Sequence, residues 1–569
     1  TQRFNNMKKL ILSALALTTA AATFAQSPID AMQLSQTELR GTARFMSMAG
    51  AFTALGSDLS AINQNPAGIG MYRGSDVGLT LGIDINSNKT FWTGGSDTQT
   101  KTTANLNNAG YVGTYNFGAA NDYSVSWGFT YNRLYRFNRM YNGNLSGFGN
   151  SLTNYIASLT DGVNPEDLWM SDSHGKELFP YDNYSANAPD WMSILFYNSG
   201  MINSETVEDG GDIYETDQYR GMWQNGGVDS NGNRVRATSG AADFLIREKG
   251  HADEYDINFG GNVKNVFYWG ISVGITDLNW TREYWYAEHL ENSLMPVAPA
   301  GYQLASHSDT ELYSFHRIDG TGANFKVGAI LKPINELRIG LAVHTPTYYT
   351  LSSTGFGSTM FNMTPAGGGR SFDGEESTPI DSYDFNLNTP WKLMAGVAGV
   401  IGGRGILSFD YEYDAFGDMK LKWDDGTDMT YNNDNIKKYY KGTSTIRLGG
   451  EFRATPQLSI RAGYSYSTSA AKPELKDANT AYGKSYGEVS TAGQDPSYRV
   501  NDDTQYITCG LGYKYQGLYF DLAYVYKHRT SAFNAFTPFT DAYADWSTAP
   551  SAKLTDNKSQ IVATIGYRF

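Results

Sequence analysis

Gly270-Ile-Ser-Val-Gly274 has the G-x-S-x-G spacing of a nucleophile elbow, a motif that works only where a strand turns sharply into a helix. Here the alternation Phe267, Trp269, Ile271, Val273, Ile275 runs unbroken through it. The stretch therefore reads as one strand, with Gly270, Ser272 and Gly274 as small residues on its inner face. Asp229-Ser-Asn-Gly-Asn233 and Asp424-Asp-Gly-Thr-Asp428 carry fragments of a calcium loop without its full ligand set, and read as ordinary turns. The seven His lack H-x-x-x-H or H-E-x-x-H spacing, and the single Cys509 excludes both an internal disulfide and a thiolate cluster. The sequence thus predicts no enzyme, no metal and no cofactor.

A different set of charged residues is more informative. Strand parity puts Arg338, His344, Asp410, Glu412, Arg447, Glu451, Arg453, Arg461 and Asp521 on the side opposite an oily face. Two readings stand: these charges pair with one another, as buried charges normally do, or Arg447 or Arg461 receives the carboxylate of a ligand.

The elements that hold them alternate with period two. The C-terminal Gln560–Phe569 sets Ile561, Ala563, Ile565, Tyr567 and Phe569 on one face and mostly small or polar residues on the other. Similar segments recur from Ser75, beginning with Val77, Leu79, Leu81, Ile83 and Ile85. The count is about fourteen, joined alternately by tight turns and long connections, which predicts an all-β antiparallel transmembrane barrel over 75–569. The abundant Gly, Tyr and Trp suit twisted strands and interfacial aromatic girdles. Tight turns face the periplasm in this class, so both termini are expected there, with a large extracellular insertion at about 138–250 and a loop at about 289–308.

The front end agrees. Met7-Lys8-Lys9, the apolar Leu10–Ala22 and Thr23-Phe24-Ala25 have the form of a cleaved signal peptide, 1–25, with 1–6 as an upstream artefact. Its removal leaves 41 cations against 58 acids, a charge of −17 that disfavours a nucleic-acid partner. Residues 26–74 lack strand periodicity. Met46, Met48, Phe52 and Leu55, followed by Asn63-Gln-Asn-Pro-Ala-Gly-Ile-Gly70, suggest short helices that form either a periplasmic stub or a plug; exposed apolar side chains need cover, which favours the plug.

Gly41-Thr-Ala-Arg-Phe-Met-Ser-Met-Ala-Gly-Ala-Phe-Thr-Ala-Leu-Gly56 followed by Asn65-Pro-Ala-Gly68 resembles the N-terminal hatch of the FadL family of outer-membrane channels for long-chain fatty acids and aromatic hydrocarbons. Leu337–Pro346, Leu458–Tyr466 and Leu518–Tyr526 are similar to later segments of that family. The resemblance implies a monomeric barrel plugged by the hatch. Its expected partners are a hydrophobic small-molecule ligand beside Phe52, Leu55, Asn65, Pro66, Ala67 and Gly68, outer-membrane lipids, and the barrel assembly machinery during insertion. It also implies lateral release through a kinked third strand. Gly128 is the only glycine in that strand and is either the kink or a small lumen residue. The insertion departs from the family. Its Trp169, Trp191, Leu195, Phe196 and Trp223 either line an extracellular groove or form the loop's own core. Two other functions fit such a barrel: a subunit of a protein secretion or surface-attachment system, and a surface receptor for haem or another hydrophobic ligand.

Overall fold

A computed structural model describes residues 27–569 apart from 119–121, 172–173, 183–187, 210–211, 229–231, 233, 297–301, 480–488, 492, 494 and 541–545. The signal-peptide segment and most of the Asp229–Asn233 turn lie outside the described residues. Fourteen antiparallel strands form the wall: β1 (Asp76–Trp92), β2 (Gly95–Phe117), β3 (Tyr123–Arg136, resumed at Arg139–Ser146), β4 (Ser239–Val263), β5 (Phe267–Pro296), β6 (Tyr302–Ile334), β7 (Leu337–His344, resumed at Tyr348–Pro365) and β8 (Asp381–Asn388, resumed at Lys392–Ile401). The ring continues through β9 (Gly405–Asp414, with Lys420–Trp423), β10 (Thr443–Arg453), β11 (Leu458–Ser467), β12 (Tyr498–Tyr515), β13 (Leu518–Asn534) and β14 (Ser551–Arg568). It closes where β1 pairs with β14, from Asp76↔Arg568 to Phe91↔Lys553.

Closure leaves no sheet edge at the ring's joint, and the outward face is apolar at the tight-turn end: Val77, Leu79, Leu81 and Ile83 on β1, and Phe267, Ile271, Val273 and Ile275 on β5 are all exposed. On β5 this band ends at Ile275. From Asp277 upward the strand is mainly polar outside and continues to Pro296, about 63 Å further along the strand at ~3.3 Å per residue. The expected loop at 289–308 is in fact the top of this hairpin, with Glu291 opposite His307. Loop-like composition there reflects a strand pair standing in water on its outer face. Likewise the insertion is shorter than 138–250, because β3 resumes through Ser146 and β4 begins at Ser239.

Between them sits a compact cap. Helices α1 (Leu152–Thr160) and α2 (Trp191–Ser199) pack with the upper strands around one apolar core that holds Leu195, Phe196 and Trp223. Ser151 and Asp190 cap the two helices by accepting backbone N–H bonds from Thr153 and Met192.

Residues 27–75 thread the lumen. The helix α3 (Pro28–Leu34) lies high, packed among Tyr135, Trp280, Ile318, Ile436 and Tyr498. Below it come α4 (Ala43–Ser47), α5 (Ala61–Gln64) and a 3₁₀ turn over Pro66–Met71, ending where Ser75 N–H donates to Phe569 O (2.8 Å). The segment at 27–36 is therefore in the upper barrel and not at the periplasmic end, unlike the C-terminus. The plug has turned inward because its apolar residues find cover only inside the ring.

Candidate ligand cavity above the hatch

The lower half of the hatch is cemented to the wall. Glycines on successive strands face it wherever backbone meets backbone. A Cβ on Gly270 would lie 2.7 Å from Ala67 N, on Gly340 2.6 Å from Thr53 C, on Gly449 2.7 Å from Met48 O and on Gly463 2.5 Å from Met48 C. Gly270 of the G-x-S-x-G stretch is thus a hatch contact, and Ser272 is a buried hydroxyl that donates to Asp256 Oδ1 (3.2 Å). Polar ties complete the joint: Thr53 N–H donates to Asp410 Oδ2 (2.7 Å) and His344 Nε2 to Gln64 O (2.9 Å), while Asn65 Nδ2 donates to Thr53 O (2.6 Å) within the hatch.

Three sequence-predicted hatch positions, Asn65, Pro66 and Ala67, belong to this cement, and Gly68 packs within the hatch. Asn65 Oδ1 accepts from Ala67 N–H (3.0 Å) at the start of the 3₁₀ turn, Pro66 and Ala67 press on Gly270, and Gly68 packs on Gly56. Phe52 and Leu55 are buried in the hatch's own core, Phe52 against Phe45 with ring centroids 5.4 Å apart. None of the six lines the cavity that lies above them.

That cavity, about 260 Å³, is bounded below by Phe45, Ser60 and Gln64, above by Met32 and Leu34, and at the sides by β7–β13 with part of β3–β6. Its lining is largely polar. Eight cationic side chains (Arg40, Arg133, Lys326, Lys392, Arg447, Arg499, Lys527 and Arg529) face five carboxylates (Glu38, Glu254, Glu412, Asp414 and Asp502). Seven of the cations are held: for example Arg40 by Asp84 (2.7 Å), Lys527 by Glu38 (2.9 Å) and Asp556 (3.0 Å), and Arg447 by Glu412 (2.7 Å). Burial pushes the Glu38 carboxyl up, but Lys527, Lys558 and Arg40 more than offset it and hold it well below the usual carboxylate range. Lys392 differs. It stands opposite Asp414 in the β8–β9 ladder without a close ion pair among the described residues, and its ammonium donates to the hatch hydroxyl Thr37 Oγ1 (3.1 Å).

Of the two expected carboxylate receivers, Arg447 lines the cavity but is engaged by Glu412, and Arg461 lies away from it, between Glu451 (2.6 Å) and Asp521 (2.5 Å). Lys392 was missed because the apolar run begins at Leu393; parity extended by one residue puts Lys392 inside.

Beside the cavity the wall is interrupted. The β2–β3 ladder runs from Phe117↔Tyr123 to Asn108↔Asn132 and stops. Above that point β3 pairs only with β4, and β2 from Gly95 to Asn107 pairs only with β1. Arg136 Nη1 reaches across to Ala104 O (3.2 Å). The break in β3 is at Phe137 and Asn138, not at Gly128, which is paired with both Val112 and Asn258. A Cβ there would lie 2.6 Å from Tyr111 O, so Gly128 permits close strand approach.

The aromatics of the cap do not form a groove over this cavity. Leu195, Phe196 and Trp223 are buried in the cap, Trp191 packs against that core, and Trp169 Nε1 donates to Tyr197 OH (3.3 Å).

No protein-family model matches the chain, and no curated protein does. Among solved structures it is similar to a FadL homologue of Pseudomonas aeruginosa (12% identity, TM-score 0.47, 94% of this chain and 100% of that one). It is also similar to the Pseudomonas putida toluene transporter TodX (12%, 0.41, 94% and 100%) and the Ralstonia pickettii toluene transporter TbuX (12%, 0.40, 95% and 100%). A closed ring of fourteen strands, an apolar band around its lower end and a hatch packed into its lumen make this chain a plugged β-barrel of the outer-membrane type.

Proposed function

We propose that the barrel carries small hydrophobic molecules inward and releases them sideways into the outer membrane. The observation that supports this is the placement of the lumen cavity between a hatch packed tightly on the wall and the interrupted β2–β3 ladder. With the floor cemented, downward passage would require breaking the hatch joint, whereas the seam above Asn108 and Asn132 is already free of backbone hydrogen bonds between its strands. An apolar molecule leaving there partitions downhill into hydrocarbon without energy coupling. The barrel acts as a monomer in this scheme, and the cap shields the upper lumen from water.

The test is to tether the seam. In a Cys509→Ser background, Ala104→Cys and Arg136→Cys are bridged by a short bis-thiosulfonate, and uptake of radiolabelled toluene and oleate is followed in outer-membrane vesicles. Uptake that stops on bridging and returns on reduction supports lateral release. Unchanged uptake removes the seam from the route. No uptake of either probe by the untethered barrel sets the carrier reading aside.

A further inference from the structure

We infer that the tight-turn end of the barrel holds an anionic phospholipid of the inner leaflet, its phosphate received by Arg73, Lys264, Lys332 and Arg338. This site lies at the far end of the ring from the cap and stands whether or not the barrel carries cargo.

The starting point is an imbalance of charge. The chain as a whole is acidic, at −14, yet its tight-turn end is cationic. Arg73, Lys264, Arg404, Arg453 and Lys514 are exposed there, against exposed Glu336, half-buried Asp122 and the carboxylate of Phe569. Acids deeper in this end are already matched: Asp76 pairs with Arg568 (2.9 Å), and Glu451 (2.6 Å) and Asp521 (2.5 Å) with Arg461. A cationic surface on an acidic protein draws anions to that surface.

Four cations converge on two neighbouring turns. Lys332 N–H donates to Val266 O (2.7 Å), which ties the end of β6 to the β4–β5 turn that carries Lys264. Arg73, where the hatch leaves the lumen, donates through Nη1 to Asn265 Oδ1 (2.5 Å) and through Nη2 to Tyr268 OH (3.4 Å). Arg338, on the inner face of β7, donates through Nη1 to Leu55 O (3.2 Å), while its Nε is buried without a hydrogen-bond partner. Lys332 feels Arg338 and Arg73 more strongly than Glu336 of its own turn, and the charges beside Arg338 are the cations Arg44 and Arg73. Among the described residues none of the four joins a close ion pair. An anion seated between the turns therefore relieves their mutual repulsion and gains charge-assisted hydrogen bonds without breaking an existing pair.

The outer face decides that the anion is a lipid's. Val266, Phe267, Leu331 and Ile334 are exposed at the same two turns, and Phe267 stands opposite Leu331 in the β5–β6 ladder. An acyl chain lies along that pair while Lys264 and Lys332 reach for its phosphate at the rim. Free phosphate gains nothing from this apolar flank. A zwitterionic headgroup brings its own ammonium against four cations, so a headgroup of net negative charge is preferred. Tight turns face the periplasm, which places the lipid in the inner leaflet.

In the experiment the full-length barrel is stripped of lipid in mild detergent. It is titrated with phosphatidylglycerol, phosphatidylethanolamine and inorganic phosphate, and bound mass is read by native mass spectrometry. Wild type is compared with Lys264→Gln/Lys332→Gln, with the charge-keeping Lys264→Arg/Lys332→Arg, and with Lys101→Gln, an exposed cation near the other end of β2. The Arg338 bond to the hatch is untouched in all of them, and heat-modifiable migration on gels confirms folding. Each cation beside an anionic lipid is worth roughly fivefold in affinity, so the double Gln variant binds phosphatidylglycerol about 25-fold more weakly. The double Arg variant and Lys101→Gln keep wild-type binding, and wild type holds phosphatidylethanolamine at least tenfold more weakly than phosphatidylglycerol. Equal retention of the two lipids overturns the proposal, as does wild-type phosphatidylglycerol affinity in the double Gln variant or an equal loss in Lys101→Gln. Displacement of the lipid by equimolar inorganic phosphate assigns the cluster to a free anion and overturns it. An acidic protein that co-purifies at these turns and is not displaced by phosphatidylglycerol overturns it as well.

Discussion

Gly463→Ala is the sharpest probe of whether the hatch is fixed. The added Cβ would stand 2.5 Å from Met48 C and 2.6 Å from Ala49 N, both backbone atoms. Ordinary carbon contacts are about 3.5–4.0 Å, so the hatch turn at 48–50 has to retreat by ~1 Å. The strand itself tolerates alanine, since Gly463 has no positive φ. Overpacking of this kind costs about 1–3 kcal/mol. The retreat also weakens the bond from Thr508 Oγ1 to Ser47 O (2.9 Å), worth about 0.5–1.5 kcal/mol. A combined ~3 kcal/mol raises the population of the locally opened hatch turn, still inside the ring, roughly a hundredfold at 1.4 kcal/mol per decade. Hydrogen exchange followed by mass spectrometry reads this directly: amides at 43–56 exchange about two decades faster, while peptides from the β12–β13 ladder keep their wild-type protection. Gly399→Ala is the control, because its Cβ meets nothing nearer than Glu336 O at 4.0 Å. If Gly463→Ala leaves hatch exchange unchanged, the hatch is not held by backbone contact with the wall and the argument for a closed floor fails.

Three further outcomes test separate parts of the structure. Leu195→Ala removes a fully buried side chain and destabilises the cap by about 2–5 kcal/mol, seen as faster proteolysis at 147–238 with uptake retained. Arg461→Met strands the buried Asp521 carboxylate and costs the barrel about 3–5 kcal/mol, measured by urea-induced loss of heat-modifiable migration. Because the Glu38 carboxyl is held below its unfolded value of about 4.3, its contribution is complete above that pH and is lost only as pH falls through the depressed value. Hatch protection at pH 5.5 therefore equals that at pH 7, and a loss between pH 7 and 5.5 in hydrogen exchange refutes the Glu38–Lys527–Lys558 cluster as the upper anchor.

The number of strands was readable because each membrane-crossing segment has one lipid-facing side, and alternation such as Val77 to Ile85 survives whatever the lumen holds. The plug was readable from its lack of alternation together with apolar Met46, Met48 and Phe52. Strand height was not. Above Ile275 both faces of β5 meet polar surroundings or the cap, so the periodic signal fades while the hydrogen-bonded ladder continues to Pro296. A glycine is the natural place to expect the break in β3, but backbone pairing at Gly128 is intact; β3 parts from β2 after Asn132 and the strand itself breaks after Arg136. The candidate arginines failed to stand out as ligand groups because parity tells which side a charge faces and nothing of its partner. Arg461 lies between two carboxylates contributed by β10 and β13, a convergence that no local spacing encodes.

Ring closure has a consequence for persistence. The hatch leads directly into β1, and β1 joins β14 through sixteen residue pairs, while Ala43 of the hatch donates its N–H to Thr564 of β14 (2.7 Å). Once that last ladder zips, the hatch is enclosed by a hoop of hydrogen bonds in a medium that offers no water to replace them. Withdrawing it demands that the hoop open, so the lifetime of the plugged state is set by an unfolding barrier and not by the strength of its own contacts. The plug is retained kinetically, as a ship is in a bottle, and should outlast mutations that weaken its local fit.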